Sequence, residues 1–182
     1  MANTSITDFL SLYSENFNPK LLSKSQLKDL NDIMYIRSIS LGTKYFLFFN
    51  EGIISLLDVN NNSLPLSRFI RNEFHDIFKD LFILLDNRVC EVIVSTDVAN
   101  SIFIQDIFNL NQENPFDVSK IRFNLLHKLF RETKKSQFFS FNLPSIQFVS
   151  LYIEKVEEDK SYANNKELFL FNTNYKIELL TS

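Results

Sequence analysis

Glycine is nearly missing from this sequence, and the shortage removes function classes before any motif is sought. Only Gly42 and Gly52 occur among 182 residues. Dinucleotide folds and P-loops need clustered glycines so that backbone N–H groups can approach phosphates. Elbow-type serine hydrolases need them around the nucleophile. Neither route is expected here. Cysteine is equally scarce: Cys90 stands alone, inside the apolar run Val89–Val94, so no internal disulfide can form. A buried, reduced thiol in a cytoplasmic or other reducing compartment, or in a virion, is the expectation. No segment reaches the ~18 consecutive apolar residues of a membrane span, and the start MANTSITDF has no basic and apolar leader pattern. No membrane span and no secretion by the standard route are expected. Excess positive charge is absent too. The formal net charge of −3 gives no long-range attraction for phosphate backbones, so nucleic-acid binding is disfavoured as the main task.

What the chain does have is phenylalanine, 20 copies against no tryptophan, in a sequence also rich in asparagine, isoleucine and lysine. That composition suits an AT-rich genome, such as that of a virus or phage. At 182 residues the chain has the size of one ordinary domain, expected to span 1–182. It divides into an N-terminal helical segment (1–33), a meander with helices (34–135) and C-terminal β-hairpins (136–182).

Ile6, Phe9, Leu10 and Tyr13 fall at helical spacing, and Ser23 to Gln26 forms a capping-box pattern for a second short helix. From Met34 the pattern becomes β. Tyr35–Ser40, Lys44–Phe49 and Ile53–Val59 read as a three-stranded meander, with the asparagine and glycine of Asn50-Glu51-Gly52 taking the positive φ of a tight reversal. Pro65 to Leu85 is the clearest amphipathic helix; its polar face carries Arg68, Arg71, Asn72, His75 and Lys79. Arg88–Ser95, apolar on both sides apart from Glu91, reads as a central strand. Ala99 to Leu110 reads as helix, although Ile102–Ile107 also fits a strand. A further helix runs from Asp117 or Ser119 to Phe130. Strands follow at Gln137–Phe141, Ile146–Val156, Glu167–Phe171 and Tyr175–Leu180. The expected fold is α+β: a mixed, mostly antiparallel sheet with β-hairpins, packed by two or more amphipathic helices.

Candidate chemistry is thin. His75-Asp76 resembles a pair from metal-dependent phosphohydrolases, but only His127 could add a second imidazole, and exposed helix-surface residues explain both. A Cys90 nucleophile would need His75 or His127 beside an exposed thiolate, which a strand position opposes. Glu51, Asp58, Glu91 and Asp97 could supply an acid–base pair, yet turns and strand ends attract carboxylates anyway. No catalytic residue, metal site or cofactor is therefore assigned, and enzymatic activity is not the expectation. Lys128, Arg131, Lys134 and Lys135 form a patch for an anionic partner, or simply complement a helix dipole. Phe46, Phe48, Phe139, Phe141, Phe169 and Phe171 place large rings on both faces of short strands. Either helices cover both faces, or another chain covers one. The leading reading is a non-enzymatic structural or interaction subunit of a larger assembly. It would associate with a protein partner or with copies of itself through a sheet face or edge. A small enzyme using carboxylates or His75, and a nucleic-acid-associated factor using Lys128 to Lys135, are the alternatives.

Overall fold

A computed structural model describes residues 3–16, 20–22, 33–38, 41–132, 134–136, 138–144, 146–147, 166–170 and 177–179. In chain order the helices are α1 (Ile6–Asn16), α2 (Arg68–Phe78), α3 (Phe82–Leu85) and α4 (Ser119–Leu129). The strands are β1 (Lys20–Leu22), β2 (Ile33–Ser38), β3 (Gly42–Asn50), β4 (Ile53–Leu57), β5 (Arg88–Ser95), β6 (Ser101–Asn109), β7 (Lys134–Lys135), β8 (Ser140–Asn142), β9 (Ile146–Gln147), β10 (Lys166–Leu170) and β11 (Ile177–Leu179). The fold is α+β. A six-stranded sheet runs β4-β3-β5-β6-β8-β7, and a five-stranded sheet runs β1-β11-β10-β2-β9. Both are mixed and mostly antiparallel; the parallel contacts are β6 with β8 and β1 with β11.

β5 is central, paired along its length with β3 and β6, as its two apolar faces predict. Consecutive residues of these strands alternate between two cores. Leu47, Cys90 and Ile107 join one cluster with Phe74 and Phe78 of α2, Leu85 of α3, and Leu126 and Leu129 of α4. Phe46, Val89 and Phe108 join a second with Phe9, Leu10 and Tyr13 of α1, together with Phe116. Period-two alternation sends neighbours to opposite faces, so the chain's own helices lie on both sides of the six-stranded sheet. Ring geometry is tight on each side. Phe9 meets Phe46 edge-on at 5.8 Å and stacks on Phe116 at 5.6 Å, while Phe78 meets Phe141 at 4.8 Å.

Several sequence-based expectations change. Residues 101–109 form β6, not a helix, with a bulge that leaves Gln105 between Asp106, paired with Glu91, and Ile104, paired with Val92. The three-stranded meander is a two-stranded hairpin, β3 with β4; β2 belongs to the other sheet, between β10 and β9. The long helix is interrupted by a 3₁₀ turn, Lys79–Leu81, between α2 and α3. At the β3–β4 turn the positive φ values are those of Glu51 (51°) and Gly52 (76°), and Asn50 remains in the strand. The capping-box helix at 23–32 and most of the strand expected over 146–156 lie outside the described residues.

Candidate functional site

α2 starts where the Ser67 side chain accepts a hydrogen bond from the Ile70 N–H at 3.2 Å, a standard N-cap arrangement. Its polar stripe, residues 68, 71, 72 and 75 at i, i+3, i+4 and i+7, faces the β3–β4 hairpin. Between them lies a cleft of about 400 Å³, lined by Gly52, Ile53 and Ile54 on the hairpin and by Arg68, Arg71, Asn72 and His75 on α2. Two guanidinium groups thus sit in the first turn, where no acidic residue stands. A helix N-terminus carries partial positive charge and disfavours cations by roughly 0.3–1 kcal/mol each. Among the described residues neither Arg68 nor Arg71 is ion-paired. The His75 ring rests 4.9 Å from Phe82, which joins the stripe to α3.

A second charged feature is buried. Glu91 and Asp106 face each other directly across β5 and β6, each only 1 % exposed. Each carboxylate has its own cation. The Tyr13 hydroxyl donates to Glu91 Oε1 at 2.6 Å, and Lys44 Nζ lies 3.0 Å from the same oxygen. Arg122 of α4 holds Asp106 with both arms of its fork, Nε to Oδ1 at 3.0 Å and Nη2 to Oδ2 at 3.3 Å, and also donates to the Asp117 carbonyl. Its guanidinium covers the Phe108 ring at 5.4 Å. Charges taken out of water need such pairing and added hydrogen bonds, so the network fastens α1 and α4 onto the sheet.

The residues singled out in the sequence are dispersed. Cys90 is fully buried, and burial, reinforced by the Asp106 charge, pushes its thiol up to about 12. His75 is exposed on α2, and His127 packs its ring 4.1 Å from Phe123. Among the described residues no group of His, Cys, Asp and Glu could hold a metal ion. Of the four carboxylates, Glu51 and Asp97 are exposed in turns. Asp58 caps its own loop, accepting from the Asn60 and Asn62 N–H groups at 2.9 Å each, and the Asn62 bond holds its carboxyl below the usual range. Glu91 is paired instead with Asp106, which the sequence pattern had not marked. Lys128 and Arg131 close the C-terminal end of α4, and Lys134 and Lys135 form the edge strand β7, where lysines discourage edge-to-edge pairing. Phe46 and Phe141 are sealed inside the chain; Phe48 and Phe139 are half-buried against its two clusters. Phe169 lies on β10, and Phe171 is outside the described residues.

Exposed apolar side chains collect elsewhere. Ile53, at the start of edge strand β4, is 67 % exposed, and Ile83 and Leu84 of α3 are 93 % and 53 % exposed. Their segments are tied together. The Glu51 N–H donates to Asp86 Oδ1, and the Asn87 N–H donates to the Phe49 carbonyl, both at 2.8 Å. Arg88 Nε donates to the Leu84 carbonyl at 2.9 Å. One end of the six-stranded sheet thus presents aliphatic groups beside the arginine-lined cleft.

No family model matches the sequence, and no curated protein does. Among the described residues no helix is long and apolar enough to cross a membrane. Solved structures share the architecture. A chain named "Pmar-Lig_PreS3" is 11 % identical with a TM-score of 0.59 over 98 % of this chain, and one named "Pmar-Lig_Pre." is 10 % identical with a TM-score of 0.57 over 96 %. This chain spans 50 % of the length of each. At such identity the likeness is one of fold alone.

Proposed function

We propose that this chain is a non-enzymatic interaction subunit of a larger assembly, and that it docks a protein partner on the end of the sheet where the β3–β4 turn meets the turn between α3 and β5. The observation that carries this reading is the exposure of Ile53, Ile83 and Leu84 on segments held together by hydrogen bonds. Burying one such side chain is worth roughly 1.5–3 kcal/mol, so leaving three in water has a cost that a partner would remove. The faces of the six-stranded sheet are less suited to the task, because α1 lies on one and α2 and α4 on the other.

The test is co-purification from the native source with wild type, an Ile53→Asp/Ile83→Asp double variant, and Ile121→Asp as a control at an exposed apolar position on α4. A stoichiometric partner held by wild type and Ile121→Asp, and lost by the double variant, is expected. A partner retained by the double variant, or a monomer by light scattering that takes up no apolar dye and brings down no partner, would contradict the reading.

A further inference from the structure

The cleft beside that end has a chemistry of its own. Its α2 wall offers two guanidinium groups, Arg68 and Arg71, with the Asn72 amide and the His75 ring and no carboxylate, and its hairpin wall offers Ile53 and Ile54. We propose that it binds a small organic phosphate, with the phosphate gripped by the two guanidinium groups and the organic body laid against the isoleucines. Each guanidinium presents five N–H donors in a planar fork matched to phosphate oxygens. Neither is ion-paired among the described residues, and both stand at the positive end of a helix with no acidic residue in its first turn. An anion there would turn an unfavourable arrangement into a favourable one. A phosphate monoester answers this better than a carboxylate, since it carries ~1.5–2 negative charges and three acceptor oxygens. A polynucleotide is opposed by the net charge of −3, whereas about 400 Å³ is the size of a small-molecule site.

The cleft shares Ile53 with the docking surface, but Ile83 and Leu84 do not line it, so Ile83→Asp separates the two sites. The experiment is calorimetric and NMR titration of the full chain with phenyl phosphate, inorganic phosphate and benzoate. Saturable binding of phenyl phosphate is expected, tighter than either other probe, with amide shifts at Gly52 and Asn72. Arg68→Gln and Arg71→Gln should each weaken it roughly tenfold, while Lys79→Gln, an equal charge loss outside the cleft, and Ile83→Asp leave it unchanged. No saturation, benzoate binding as tightly, or an equal loss in Lys79→Gln would each overturn the proposal. Failure of phosphate binding with the partner complex intact would remove this inference alone. Loss of the partner complex with phosphate binding intact would remove only the docking surface.

Discussion

Cys90 and Asp106 show how burial turns ordinary side chains into constraints on the whole fold. The Cys90 thiol, raised from 9.0 to about 12 chiefly by burial, stays protonated in the folded chain while the unfolded chain's thiol ionises. The folded state therefore holds the extra proton between those values. The contribution is fully present below pH 9.0 and is lost as pH rises toward 12. Urea unfolding at about pH 8 and about pH 10 should show wild type losing about 1 kcal/mol more than Cys90→Ala; equal losses would contradict the buried assignment. Asp106 makes a sharper demand. Arg122→Met leaves its carboxylate buried without the guanidinium fork, and a cost of about 3–5 kcal/mol in urea unfolding is expected. Asp106→Leu in the same chain should restore much of it, since replacing both partners by apolar groups removes the unpaired charge. A single-variant cost below about 1 kcal/mol would show that the pair matters little.

At the scale of elements, legibility followed locality. The amphipathic stripe of Leu66 to Leu85 and the twin apolar faces of β5 are local patterns, and the helical and central-strand character they predict is found, although a 3₁₀ turn breaks the helix and Val118, at the N-cap of α4, gives no side-chain cap. β6 misleads for a physical reason. The bulge at Gln105 inserts one residue, so Ile104 and Ile107, both in the α2-side cluster, stand three apart and imitate helical spacing. Asp106 then reads as a polar helix position, because nothing nearby announces that Arg122, 16 residues on, will pair with it. The hairpin turn misleads by one residue. Glu51 takes the left-handed conformation expected of Asn50, and its N–H is held by Asp86 from 35 residues away. The role of Gly42 has no local signal; in the fold it lets β3 pass against β5, and a side chain there would collide with the Val94 carbonyl. The arginine stripe was visible as the polar face of a helix. That it becomes a cleft depends on β4 lying alongside, which no periodicity reveals.

For the molecule as a whole, phenylalanine on both faces of short strands posed one question: what covers the second face. Pairing between strands distant in sequence decides it. β2 leaves the expected meander for the other sheet, and β3 takes β5 as its second neighbour. α1 supplies Phe9, Leu10 and Tyr13 to the face carrying Phe46, Val89 and Phe108, and Tyr13 reaches the buried Glu91. Among the described residues the faces of the six-stranded sheet are covered by the chain itself, and its end, with its aliphatics and its arginine cleft, is the surface on which function is proposed. Phe9 is the centre of that cover, in ring contact with Tyr13, Phe46, Phe108 and Phe116. The most direct test is urea unfolding of Phe9→Ala, with apolar-dye binding read in the absence of urea. A loss of about 3–5 kcal/mol with new dye binding is predicted for a ring that closes the second face. A loss within about 0.5 kcal/mol and no new dye binding would show that α1 does not cover it.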